Sequence, residues 1–381
     1  MKVCFWGNIG KALTGTTSGG GELQIALLAK ALARGGHEVV VLDYENTKEF
    51  QTDDGIKVYP IEGWDKGIRL IRTFTHRIPR LYSSLINQNA DVYYCRISDF
   101  RHVLAWAAAR KLKAKFILGL AADLEIMNFS MRWKYYYQTH LRNLWVFFDG
   151  FLIEIVYPLL LRKSDYVFVQ HEGQKQLLLK KGIKSILFPN LIDLSQIPLV
   201  PNPTHDYFIY VGWLDKLKGF TEFFEIVKKS PDYSFMVIGP PRDKTGHKYY
   251  EKLKSFKNVS LKGKLNHTDT LRYIASARAL ISTSHMEGFP NIFIEAWACG
   301  IPVLSLYVDP GSVIENEKLG EVTHGDLNKL LQAMDKCINT AEFADRAKAY
   351  VERTHRLNAA KIKEVDLLFR DIMDNKKVKS A

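Results

Sequence analysis

Short apolar runs alternate with longer stretches of helical periodicity along almost the whole 381-residue chain. Val39–Leu42, Phe116–Leu118, Tyr166–Val169, Phe208–Val211, Phe235–Ile238 and Val303–Leu306 are mostly apolar throughout, as strands buried on both faces are. Between them, patterns such as Gly21–Arg34, Thr221–Lys229 and Thr268–Ala277 return apolar residues at helical spacing. The alternation predicts an α/β fold with parallel sheets covered by helices on both faces. Met1–Trp6 reads as the first strand, because Gly7-Asn8 arrives too soon for the apolar core of a signal peptide. Pro198, Pro201 and Pro203 disfavour periodic structure across Ile192–His205, which marks a boundary between domains 1–195 and 196–357. A last helical pattern covers Asn358–Met373, and the Lys376–Ala381 tail is expected to fray. With 47% hydrophobic residues, the chain has enough apolar material for two cores.

Chemistry concentrates in Glu287-Gly-Phe-Pro-Asn-Ile-Phe-Ile-Glu295. The run Ala279–Ile281 predicts a buried strand, Phe289-Pro290 breaks the chain, and a helix is expected to start near Asn291. Its positive end then faces the carboxyl edge of the sheet, where a diphosphate is well placed. Glu287 precedes that terminus and Glu295 lies about one turn inside it. Two acceptors flanking an anion site suit two hydroxyl-bearing groups, although the spacing also fits an ordinary loop carboxylate and a helix-dipole Glu.

Gly288, Phe289, Pro290 and Asn291 decide between these, since with the two carboxylates they resemble the two-glutamate motif of the family 4 glycosyltransferases. Similar elements recur in order: Gly19-Gly20-Gly21-Glu22 with Leu27, Leu28, Ala31 and Leu32, then Gly36-His37-Glu38-Val39, then Pro189-Asn190, then Val211-Gly212-Trp213-Leu214 with Lys218-Gly219. The resemblance implies a GT-B fold, two Rossmann-like domains facing across a cleft, with the last helix packed back on the first domain. It implies a retaining, metal-independent hexosyltransferase with no cofactor, taking a nucleoside diphosphate sugar and a glycan or lipid-linked acceptor. Glu287 is expected at the donor sugar, Glu295 at the ribose and Lys218 at the diphosphate. Gly20, Gly21, Gly212, Gly288, Phe289, Pro290 and Asn291 are expected to line the donor site. Two departures stand out. Trp213 occupies a position that usually carries an Arg, which leaves Arg242, after Gly239-Pro240-Pro241, as a substitute phosphate cation or a solvated loop residue. After Phe116–Leu118, where relatives commonly place a His, this chain reads Gly119-Leu120-Ala121-Ala122-Asp123, so Asp123 is the candidate catalytic group, or else a helix N-cap. The departures keep two alternatives open: a weakly active donor-binding subunit of a glycan assembly complex, and a GT-B sugar-nucleotide epimerase.

Charge adds a surface. Of the net +12, a net +9 falls between Lys66 and Lys115, with Arg69, Arg72, Arg77 and Arg80 at near-helical intervals. An aromatic-rich segment follows, including Phe129, Trp133, Tyr135, Tyr136, Tyr137, Trp145, Phe147, Phe148 and Phe151. Basic plus aromatic suits peripheral contact with an anionic membrane, about 1 kcal/mol per Lys or Arg near the surface; a solvated face is the plainer reading. No nucleic-acid motif accompanies the charge, so nucleic acid is not an expected partner. Leu144–Leu161 contains Asp149, Glu154 and Pro158 and is short for a span. Cys4, Cys95, Cys299 and Cys337 show neither disulfide nor metal-ligand spacing, which suits a reducing, cytoplasmic setting.

Overall fold

The computed structural model describes residues 1–15, 19–46, 48–68, 71–127, 133, 144–198, 200, 204–337 and 340–374, with the side chains of 144–147 left out. The chain forms two compact units. The first comprises Met1–Ala121, Asn143–Leu191 and Leu357–Ala381, and the second Ala122–Arg142 and Ile192–Arg356.

Eight strands make the sheet of the first unit: β1 (Lys2–Gly7), β2 (Glu38–Asp43), β3 (Phe50–Gln51), β4 (Lys57–Pro60), β5 (Val92–Arg96), β6 (Lys115–Gly119), β7 (Tyr166–Val169) and β8 (Ile186–Leu187). Their order is β3-β4-β2-β1-β5-β6-β7-β8, parallel except for the short β3–β4 pair. Its longer helices are α1 (Gly20–Arg34), α2 (Ile78–Gln88), α3 (His102–Leu112), α4 (Leu144–Lys163) and α5 (Glu172–Lys180). The apolar stripe of α1, including Leu28, Ala31 and Leu32, packs with Val3 and Phe5 of β1. The last helix, Ala359–Asp374, joins the same core through Val365, Phe369 and Ile372.

The second unit is a six-stranded parallel sheet of β9 (Tyr207–Val211), β10 (Ser234–Ile238), β11 (Val259–Gly263), β12 (Ala279–Ser282), β13 (Val303–Ser305) and β14 (Gly320–Val322). Its longer helices are α6 (Phe220–Lys229), α7 (Lys244–Leu253), α8 (His267–Ala275), α9 (Asn291–Ala298), α10 (Leu327–Lys336) and α11 (Ala341–Thr354); the Ala359–Asp374 helix of the first unit completes the series as α12. Strand order is β11-β10-β9-β12-β13-β14. The chain therefore winds outward from β9 in one direction, returns to its other side at β12, and winds away again, which creates a switch point between the two strands.

The break falls between Leu191 and Ile192, because Gln24 brackets the main chain of Leu191 with two hydrogen bonds of 2.7 and 2.8 Å while the Ile192 N–H donates to His355 O at 2.9 Å. Of the described residues, Ala122–Met127 count with the second unit.

The basic stretch is also less of a surface than its charge suggests. Arg72 and Arg77 pair with Asp65 at 3.2 and 2.7 Å, and Arg77 lies 5.1 Å over the Trp64 ring. Arg101 is held by Asp99, Arg110 pairs with Asp165, and buried Arg96 donates to Asn190 at 2.8 Å. Asp65 and Asp165 lie outside the window that holds the net charge, so counting along the chain missed them. Arg69 and four of the nine aromatic residues, 129, 135, 136 and 137, lie outside the described residues, and the side chains of 145 and 147 are left out.

Candidate functional site

Loops at the carboxyl ends of β9 and β12 build the site. These strands are direct neighbours, Ala279 opposite Phe208 and Leu280 opposite Ile209, so the loops leaving them meet at the switch point. Gly212 follows β9, with open space where a side chain would project. The loop ends at Gly219, whose φ of +65° and approach to Thr283 (a Cβ would lie 1.9 Å from that carbonyl oxygen) admit no other residue without rearrangement. Main chain thus lies against main chain. The Thr283 hydroxyl ties the loops by donating to Lys218 O at 2.9 Å.

That contact sets Lys218 beside Glu287. Their side chains form a direct, hydrogen-bonded ion pair, both only partly exposed. The Lys218 N–H donates to Asp215 Oδ1 at 2.8 Å, which fixes the turn. Asp215 is buried and forms an ion pair with Arg242 at 2.5 Å, while the Arg242 guanidinium lies 5.4 Å over the Trp213 ring. Two cations, Lys218 and Arg242, therefore border one loop. The Asp123 N–H donates to Glu287 O at 3.1 Å. Ala122, not Asp123, caps the short helix Asp123–Ile126, and no side chain caps it.

Helix α9 starts at Asn291, with Pro290 at its N-cap. The Phe289 ring is buried, 6.2 Å from Trp297 and 5.0 Å from His355, so it belongs to the core and leaves only its main chain for a ligand. Pro290 has no N–H to give. Trp297 is fully buried, its Nε1–H donating to Leu319 O at 2.9 Å; truncating such a side chain costs about 3–5 kcal/mol. The anchor holds Glu295 in place. Glu295 is buried and accepts a 2.9 Å hydrogen bond from His267, the first residue of α8. Nothing local in the sequence marks His267, because only the packing of α8 on α9 brings it across 28 positions.

The hydrogen bond to Glu295 raises the His267 pKa above its ordinary 6.5, outweighing burial, which acts the other way. Stability from the charged pair is therefore fully present below about 6.5 and lost as pH rises through the elevated folded value. His267→Gln should lower the melting temperature most at acid pH and progressively less above neutrality. Thermal melts of both proteins across that range check this, and a gap independent of pH would remove the charged pair from the account.

Two family comparisons match this chain. The description "Glycosyltransferase Family 4" matches residues 18–196, and "Glycosyl transferases group 1" matches residues 195–354. Between them they cover both units. The chain belongs to glycosyltransferase family 4. An uncharacterised glycosyltransferase of Haemophilus influenzae is 22% identical over 353 residues, 88% of this chain and 91% of its own. Among solved structures, sucrose-phosphate synthase from Thermosynechococcus elongatus superposes with a TM-score of 0.78 at 14% identity, covering 98% of this chain and 100% of its own. Anabaena HepE in complex with UDP and glucose superposes at 0.70 with 15% identity and the same coverage. These neighbours share the GT-B fold.

In this glycosyltransferase, the residues expected around the donor separate into two groups. Lys218, Glu287, Gly288, Glu295 and Gly212 stand at one sheet edge of the second unit, with Asp123 joined to Glu287 through the main chain. Gly20 and Gly21 open α1 in the first unit. A Cβ on Gly21 would lie 2.5 Å from the Ile97 side chain. Among the described residues, no group of three or more His, Cys, Asp or Glu side chains is placed to hold a metal ion.

Proposed function

We propose that this glycosyltransferase moves a hexose-type sugar from a nucleoside diphosphate donor to a hydroxyl of a glycan or lipid-linked glycan. Transfer proceeds with retention of anomeric configuration and without a metal ion. The observation that carries the reading is the Lys218–Glu287 ion pair at the switch point, with Glu295 inside the adjoining helix. HepE, which holds UDP and glucose, supports a donor of this class. Lys218 and Glu287 neutralise one another. An arriving diphosphate competes for Lys218 and releases Glu287 towards the sugar hydroxyls, so one exchange readies both groups.

Cleavage breaks the anomeric C–O bond and leaves its electron pair on the diphosphate. Lys218 stabilises that charge, with Arg242 as the second cation where relatives carry an Arg at the position of Trp213. Arg242 faces Asp215 with one nitrogen of its guanidinium and keeps the other N–H groups for a phosphate, so it can serve both. The acceptor oxygen attacks the same sugar face, and its proton passes to the departing phosphate oxygen. Glu295 holds the ribose, and Asp123 orients the acceptor. The enzyme meets its acceptor at an anionic membrane surface.

Nucleotide sugars screened by thermal stabilisation, followed by product analysis in chelator, test the proposal. A donor at a hundred times its Kd adds about 2.7 kcal/mol of stability. A new glycoside formed in the presence of EDTA is the expected result. Loss of activity in EDTA with rescue by magnesium or manganese would overturn the electrostatics. Trp213 gives the weakly active subunit its specific support, and that alternative predicts stabilisation without product; an epimerase would alter the donor instead.

A further inference from the structure

Helix α4 (Leu144–Lys163) is apolar on more than the side it buries. Tyr157, Leu160 and Leu161 face the core, whereas Phe148, Phe151, Ile155 and Leu159, spaced three and four apart, are exposed. Phe74 is also exposed and meets Phe148 edge to face at 6.3 Å, which joins its segment, with exposed Ile68 and Ile71, to the helix. Of eleven exposed large apolar side chains among the described residues, seven lie in these two segments. Scattered singly they would need no explanation; gathered on one unit they mark a contact face.

Cations flank its two segments along the chain. Arg162 and Lys163 are exposed at the end of α4, and exposed Lys66 and Arg80 both lie over Gly63. The acids of α4, Asp149 and Glu154, are only half-exposed, and Asp65 is engaged by Arg72 and Arg77. Among the described residues, no helix is long and apolar enough to cross a membrane.

We propose that the exposed stripe of α4, with Ile68, Ile71 and Phe74, inserts into the headgroup layer of an anionic bilayer while Arg162, Lys163, Lys66 and Arg80 meet its phosphates. The charge complementarity selects a bilayer as occupant. This deepens the reading of a lipid-linked acceptor and rests on it for purpose only. Docking itself requires neither donor nor turnover.

Flotation of the full chain with phosphatidylcholine vesicles, with and without phosphatidylglycerol, tests the face. The wild type should float on the anionic vesicles and keep a substantial bound fraction in high salt, since apolar insertion is not screened. Phe151→Gln, Ile155→Gln and Leu159→Gln together should lower partitioning by roughly a hundredfold at an unchanged melting temperature. Arg162→Gln with Lys163→Gln should lower it about fivefold per charge, on anionic vesicles alone. Failure of the wild type to float, or undiminished flotation of the triple variant, would overturn the proposal. So would a wild-type dimer that the triple variant dissociates, because a second copy would then cover the stripe. A negative result leaves the transferase reading intact, and transfer to a soluble acceptor with no flotation would separate the two.

Discussion

Glu287→Gln should lower the transfer rate by about two to three orders of magnitude and leave the fold intact. The carboxylate lies at a loop edge, and glutamine keeps an acceptor oxygen for Lys218. The ion pair adds a second expectation. If Glu287 competes with the diphosphate for Lys218, removing its charge should leave affinity for the free nucleoside diphosphate unchanged or tighter while turnover collapses. Steady-state kinetics, calorimetric titration of the nucleotide and a melting curve form the test. Near-normal turnover would end the assignment, and a parallel loss of nucleotide affinity would end the competition argument.

Lys218→Gln should lower kcat/KM by about two to three orders of magnitude, and Arg242→Gln by about one to two, if both cations face the leaving group. Arg242 needs a control, because it also neutralises buried Asp215, and an unpaired buried carboxylate destabilises the unit. Arg242→Gln combined with Asp215→Asn removes that charge. The double variant should recover stability but not activity. Recovery of both would reduce Arg242 to a structural partner of Asp215 and leave Trp213 uncompensated.

Much of this architecture is legible along the chain. The apolar runs Val39–Leu42, Tyr166–Val169 and Phe235–Ile238 lie within β2, β7 and β10 because a strand buried on both faces must be apolar at successive positions. The helix expected near Asn291 begins there, since Pro290 suits the extended conformation of an N-cap. That Glu287 precedes this helix and Glu295 lies inside it was readable for the same local reason, a loop followed by a helix of known pitch.

Partnerships were not readable. Lys218 and Glu287 are 69 positions apart and meet because β9 and β12 are neighbours, an adjacency that sheet order decides. His267 reaches Glu295, and Asp215 holds Arg242, through packing that leaves no periodic trace. The same limit governed the basic stretch, where charge counted along the chain gave Arg72, Arg77, Arg101 and Arg110 to the surface and the tertiary structure gave each a carboxylate. Periodicity, turn chemistry and motif spacing are short-range, so the sequence by itself determined the fold class, the two cores and the two glutamates. Ion pairs and exposed faces depend on which distant segments touch, and only the tertiary structure decided which cations are engaged and which side of α4 is left uncovered.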